Sequence, residues 1–282
     1  DQVKYNSQAQ QVLLSMIIGD VFEKEYGDKV SAQEVDDAYN DMAEQYGDSF
    51  ASALASAGLT EETYKDQIRT NKLVEYAVKK AAEKELTDDA YKSAYEAYTP
   101  EVTARIIRLD DETKAKEVLA SAQAEGADFA QLAKDNSNDT DTKDDGGKIT
   151  FDSSSTTLPT EVQTAIFALD AGQVGASVIS VLDASTYTTS YYVVKLESKT
   201  EKSDNWEDYK DKLKEIILAE KQADSTFVSN VIKTALQDAN VKVKDSAFQN
   251  LLSQYITIEE SSSSTESSSS SSSSTESSSS GE

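Results

Sequence analysis

Apolar residues recur along the first hundred positions at spacings of three and four. Val12, Leu13, Met16, Ile17, Val21 and Phe22 form one such stripe, which predicts an amphipathic helix over Gln8 to Phe22 with a face to bury. Ser31-Ala32-Gln33-Glu34 sets a hydroxyl three residues before a carboxylate. That capping box predicts a helix start and a run to about Tyr46. Gly47 and Gly58 punctuate the pattern. Thr60-Glu61-Glu62 opens a longer helix through Leu73, Val74 and Val78, and Thr87-Asp88-Asp89 opens another that ends near Tyr98. Pro100 closes the segment, because proline disfavours helix in the residue before it and lacks the N–H to continue.

The period changes at Val102. Val102 to Leu109 predicts a strand, and Thr113 to Glu125 a helix that stops at Gly126. Phe129 to Lys134 is a short helix, residues 135–148 an Asp/Asn/Gly loop, and Thr160 to Leu169 a second short helix. Val178 to Leu182 and Tyr191 to Leu196 predict paired strands joined by a Ser/Thr-rich connection. Trp206 to Ala239 then predicts one long helix striped with Tyr209, Leu213, Ile216, Ile217, Phe227, Val228, Val231 and Leu236. Val241 to Lys244 predicts a short strand, and Phe248, Leu251, Leu252 and Tyr255 a last helix. Residues 259–282 hold only Ser, Thr, Glu and one Gly. Such a stretch buries too little apolar surface to offset its ordering entropy, so a disordered acidic tail is expected there.

Charge narrows the functional classes. Against 27 basic residues stand 52 acidic ones, a formal net charge of −25 over 282 residues. A phosphate backbone needs a basic footprint, so nucleic acid is not an expected partner. Direct docking on anionic lipid is disfavoured for the same reason. The balance suits solubility and attraction to basic partners. There is no cysteine and no histidine. Disulfides, thiol chemistry, Ser-His-Asp and Cys-His catalysis and the usual zinc sites are therefore excluded. No cofactor or metal is expected. No apolar run reaches the ~18–20 residues that span a bilayer, and the chain starts at Asp1 without a basic, apolar, small-residue leader. A helical pattern already under way near the first residues suggests a truncated or processed chain.

Four motifs in order carry a resemblance. Asp128-Phe129-Ala130-Gln131-Leu132-Ala133 is followed by Ser137-Asn138-Asp139 with Gly146-Gly147-Lys148-Ile149, by Ala165-Ile166-Phe167-Ala168-Leu169 with Gly172-Gln173-Val174, and by Ser190-Tyr191-Tyr192-Val193-Val194-Lys195-Leu196. Together they resemble the parvulin prolyl isomerases over about Val102 to Glu197. The helical flanks resemble those of the PrsA-type foldases, lipoproteins of Gram-positive bacteria, and more distantly those of the SurA chaperones. The acidic, Ser-tailed character resembles a streptococcal member. The resemblance implies an α+β fold with an inserted domain of order β-α-α-α-β-β. Its implied bounds are a helical lobe over 1–99, a parvulin-like domain over 100–200, a helical segment over 201–258 completing the first lobe, and the tail. It also implies an extracytoplasmic protein, held at the outer face of the membrane by a lipid upstream of this chain. Its partners would be unfolded or partly folded secreted proteins.

The resemblance further implies where prolyl-isomerase chemistry belongs. Isomerisation crosses a barrier of ~18–20 kcal/mol. A parvulin lowers it by seating the proline in an apolar pocket beside an oriented polar network of two histidines and a Cys or Asp. Carried over residue by residue, the first histidine position falls on Ile106 and the second on Tyr192, while Asp139 keeps the acidic position. The pocket positions fall on Leu158, Val162, Ile149 and Phe167. Ile106 can neither donate nor accept a hydrogen bond, and the Tyr192 phenol titrates near pH 10. The expected outcome is a foldase whose isomerase domain is weak or inactive. The alternatives are a working isomerase and a surface adhesin or antigen. Asp135, Ser137, Asp139 and Asp141 alternate like calcium ligands, but Thr140 and Gly146 stand where an EF-hand needs Gly and Glu. Tyr39, Tyr46, Tyr64, Tyr76, Tyr91, Tyr95 and Tyr98 either line a client-binding surface or pack between helices.

Overall fold

The computed structural model describes residues 7–242, 250–253 and 255, and side chains from residue 10 onward. The chain divides into two compact units: residues 1–76 with 229–282, and residues 77–228. Both cuts fall inside helices rather than at Pro100.

In the first unit α1 spans Ser7–Tyr26. Ser31 then makes the expected capping box, its hydroxyl accepting from Glu34 N while Glu34 Oε2 accepts from Ser31 N, and starts α2, Ala32–Tyr46. Gly47, at φ 54°, ends α2, and a short α3, Phe50–Ser56, follows. Helix α4 covers Glu61–Glu83. Tyr39, Phe50 and Tyr64 meet edge to face at 5.3–6.1 Å, and Tyr26 lies 5.4 Å from Tyr76. These rings pack between helices. Burial pushes the Tyr26 phenol up to about 12, helped by Glu25. The stripe on α1 is rotated from its expected face. Ile18 and Phe22 are buried, whereas Val12 and Met16 are exposed.

The second unit begins with the end of α4 and with α5, Asp88–Ala97, capped by Thr87. Strand β1, Val102–Leu109, leads to α6, Glu112–Ala122, and α7, Phe129–Asn136, each capped by an aspartate, Asp111 and Asp128. Strand β2, Lys148–Phe151, precedes α8, Thr160–Phe167, and the hairpin β3, Ile179–Asp183, with β4, Thr188–Lys199. The four strands form one antiparallel sheet of order β2-β1-β4-β3. The expected order lacked β2. Its four residues alternate too briefly to signal a strand, and only pairing with β1 reveals them.

Both faces of the sheet are covered, and the parity of β1 shows how. Val102, Ala104 and Ile106 join Tyr192, Val194 and Leu196 under α8, whose Val162 and Ile166 are fully buried. Ile107, Leu109 and Val193 face the other way, against Val118 of α6 and Phe129 of α7. Each buried Val, Leu, Ile or Phe among these contributes about 1.5–3 kcal/mol by leaving water.

The expected long helix over Trp206 to Ala239 is broken. A 3-10 turn, Trp206–Tyr209, leads into α9, Lys210–Ala223, and Asp224 turns extended at ψ 104°. Asp224 Oδ1 then accepts from the N–H groups of Thr226 and Phe227 at 2.9 and 3.3 Å and starts α10, Ser225–Asp238. The N-cap outcompeted a continuous apolar stripe. Helix α9 packs on α5 through Tyr91, Tyr98, Leu213 and Ile217. Val241 and Lys242 are not in a strand, and most of the expected strand to Lys244 lies outside the described residues. The expected last helix is a 3-10 turn where it is described, at 250–252, with Leu252 fully buried. Phe248 and the tail over 259–282 lie outside the described residues.

Candidate functional site

The sheet gathers the residues that the motifs single out. Ile106, Leu158, Val162 and Tyr192 are buried in one cluster under α8, with Ile149 and Phe167 packed at its margin. Ile106 pairs with Val194 across the sheet, Tyr192 lies between Arg108 and Ile179, and Ile149 pairs with Ala104. Leu158 is held in place by Gln163, a buried polar residue of α8. Gln163 Nε2 donates to Leu158 O at 2.8 Å and Ser155 O at 2.9 Å, pinning the loop that carries Leu158.

The glycine pair in the Asp-rich loop has a steric cause. Gly146 and Gly147 both take positive φ, 64° and 75°. A Cβ on Gly147 would stand 2.2 Å from Ile106 O, which accepts no such approach. Gly147 O in turn accepts from Ile106 N at 2.8 Å. Arg105 closes the same loop from the other face of β1. Its Nε donates to Glu197 Oε1 at 2.5 Å and its Nη1 to the carbonyls of Asp145 and Gly146 at 2.9 and 2.8 Å. The motif therefore persists for backbone geometry, whether or not chemistry occurs beside it.

Asp139 lies on this loop. Its Oδ2 accepts from the Thr142 hydroxyl, and its N–H donates to the buried Ser137 Oγ at 3.2 Å. Two of the alternating positions of the Asp-rich segment are engaged elsewhere. Asp135 sits within α7 and accepts from Gln131 Nε2, and Ser137 Oγ takes the N–H groups of Arg108 and Asp139. Burial pushes the Tyr192 phenol above its ordinary range; the Arg108 guanidinium opposes this, and the Asp139 and Asp110 carboxylates add to it. The phenol therefore stays neutral at neutral pH. Its hydroxyl has no hydrogen-bond partner among the described residues.

Arg108 belongs to the site, and the motifs do not name it. It shares the face of Ile106, two residues back, and stands opposite Tyr192. Its Nε donates to Ser190 Oγ at 3.2 Å and its Nη2 lies 3.6 Å from Asp110. The period-two alternation of β1 is the signal that points to it. The arrangement offers an apolar floor with a charged and phenolic rim. It has no imidazole to take up and release a proton near neutral pH, since the chain has no histidine.

The comparisons agree with this architecture. Residues 99–198 match the family described as rotamase, PPIC-type PPIASE domain. Over 262 residues the chain is 62% identical to foldase protein PrsA of Streptococcus gordonii, covering 93% of this chain and 84% of that protein. The chain belongs to the PrsA foldase family. Foldase protein PrsA of Streptococcus sanguinis is 58% identical, with 93% and 78% covered. The crystal structure of foldase protein PrsA from Streptococcus pneumoniae matches with a TM-score of 0.82 at 58% identity, covering 90% of this chain and 93% of that one. PrsA from Lactococcus lactis matches with 0.73 at 35% identity, covering 91% and 92%. The PrsA relatives thus share the α+β fold and its isomerase-type domain. Among the described residues no helix is long and apolar enough to cross a membrane.

Proposed function

We propose that this chain is an extracytoplasmic chaperone of unfolded secreted proteins whose isomerase-type domain binds them without catalysing efficiently. The observation that carries this is the pair at the histidine positions. Ile106 is 2% exposed and has no polar atom, and Tyr192 is 8% exposed and held neutral by burial. Ile149, Phe167 and the edge of Tyr192 form the accessible apolar margin. Asp139, bound within its own loop, is a remnant of the polar network. A protein that binds unfolded chains slows their aggregation by mass action alone.

The helical lobe in this reading joins residues 1–99 with 201–258. Ile232 and Tyr255 line one cavity with Leu14 and Ile18 of α1 and Val74 of α4, which supports the late segment as a partner of α1. The protein would be held at the outer face of the membrane by a lipid upstream of this chain, as the family resemblance implies.

A protease-coupled assay on X-Pro peptides, run beside suppression of aggregation of a denatured client, tests the function. The expected result is suppression with isomerisation near background. A kcat/KM within about tenfold of a histidine-bearing parvulin, ~1.4 kcal/mol of transition-state stabilisation, would identify a working isomerase instead. Absence of both activities would favour an adhesin.

A further inference from the structure

The helical unit carries an open groove between α1 and α4 that the isomerase-type domain does not account for. It encloses about 420 Å³, within the ~300–1,000 Å³ range of sites that bury a drug-sized ligand. Val12 and Met16 of α1 form one wall, and Leu59 and Leu73 line the other side. Met16 is 61% exposed and Val12 39%, against 1% for Leu73 at the floor. An amphipathic helix ordinarily covers its apolar stripe. Helix α1 buries Ile18 and Phe22 and leaves Met16 to solvent.

The groove is built rigidly. At Gly19 the two helices approach so closely that a Cβ would meet Thr70 Oγ1 at 2.6 Å. Arg69 of α4 locks the far end, its Nε and Nη2 each donating to Glu23 at 2.8 Å and its fork reaching Val30 O at 2.8 Å and Gly27 O at 2.9 Å. Arg69 is the one base in the lining, and Glu23 uses its charge; the Arg69 hydrogen bond holds the Glu23 carboxyl below its ordinary range. Asp20 and Asp66 remain on the rim, with no ion-pair partner among the described residues.

We propose that this groove receives a short aliphatic segment flanked by lysine or arginine, within an unfolded polypeptide. The proposal rests on the chaperone reading and names the chemistry of the segment it holds. Aliphatic side chains fill the space beside Met16 and Leu59, and the flanking cations meet Asp20 and Asp66. Complementary charge selects this partner and rejects its acidic counterpart. The chain's own end is rejected on the same ground: residues 259–282 carry five carboxylates and no base.

The chain has two methionines, and only one lines the groove, so labelled methionine-methyl NMR reads the site directly. The full chain is titrated with a synthetic peptide of Leu and Val flanked by Lys, then with the same core flanked by Glu. The Met16 signal should shift saturably with the Lys peptide while Met42, on α2, stays in place. The paired substitutions Asp20→Asn and Asp66→Asn should weaken binding roughly five- to tenfold, the effect of two exposed ion pairs. A silent Met16, or an equal response to the Glu peptide, overturns the proposal. Client aggregation keeps the two readings apart. Suppression of aggregation with a silent Met16 removes the groove and leaves the chaperone. A Met16 response without any suppression keeps the peptide site and removes the chaperone.

Discussion

In the isomerase-type unit the centre of the cluster under α8 is sealed, with Ile106 2% and Val162 0% exposed, while in the helical unit Met16 stands 61% in water. The first unit has the fold of the isomerase-type domain, with Ile106 and Tyr192 where the family resemblance implies histidines. The second leaves apolar surface uncovered beside Asp20 and Asp66, which have no ion-pair partner among the described residues. The contrast shows that the packing that holds a motif in place can be read apart from any chemistry beside it. Gly146, Gly147 and Arg105 hold a loop against β1, a steric demand that does not depend on which chemistry occurs beside it. Met16 and Val12 are exposed along the wall of the groove proposed above to take a peptide segment.

The sharpest way to break this comparison is Gly147→Ala. Backbone strain at φ 75° adds to a clash with Ile106 O, so a loss on the order of 4 kcal/mol is expected in urea unfolding. Gly172→Ala is the control: it also has positive φ, but open space around it, and should cost about 1 kcal/mol. Equal losses would show that the close approach is not what retains the motif.

In the helical unit, Leu236→Ala empties a fully buried position and should cost about 3 kcal/mol, with aggregation on mild heating. An unchanged melting curve would mean that α10 does not complete the lobe.

Restoring the polar pair, Ile106→His with Tyr192→His, should raise kcat/KM at least about tenfold, or ~1.4 kcal/mol. No gain would place the defect in Leu158 and Val162 as well. Before that change, any residual isomerisation should be flat from pH 6 to 9. The Tyr192 phenol is pushed above its ordinary pKa, so its protonated form persists through that range, and an inflection near the ~6.5 of histidine has no source. A bell-shaped profile would show another titrating group at work.

The smallest effect is expected from removing residues 259–282. Five carboxylates and no base leave with them, so the formal charge moves from −25 to −20. Client binding should persist and weaken with salt as before. A large loss that salt does not alter would show that the tail binds clients itself.

The sequence by itself determined what closes within a few residues or repeats at a fixed period. The Ser31–Glu34 box, the Thr87 cap, the β1 strand and the four ordered motifs needed no distant partner to be legible, and of the six residues carried over from the resemblance four are buried in one cluster with Ile149 and Phe167 at its margin. Where partners are far apart, only the tertiary structure decided. Strand β2 exists because Ile149 pairs with Ala104, forty-odd residues earlier. The apolar stripe across Asp224 continued unbroken in sequence, yet the carboxylate captured two N–H groups and split the helix. Arg108 joined the site through its cross-strand neighbour Tyr192. Periodicity marked α1 as amphipathic without saying which side would be covered. The close approach of Gly19 to Thr70 settled that, burying Phe22 and turning Met16 outward, because a helix orients by what it packs against.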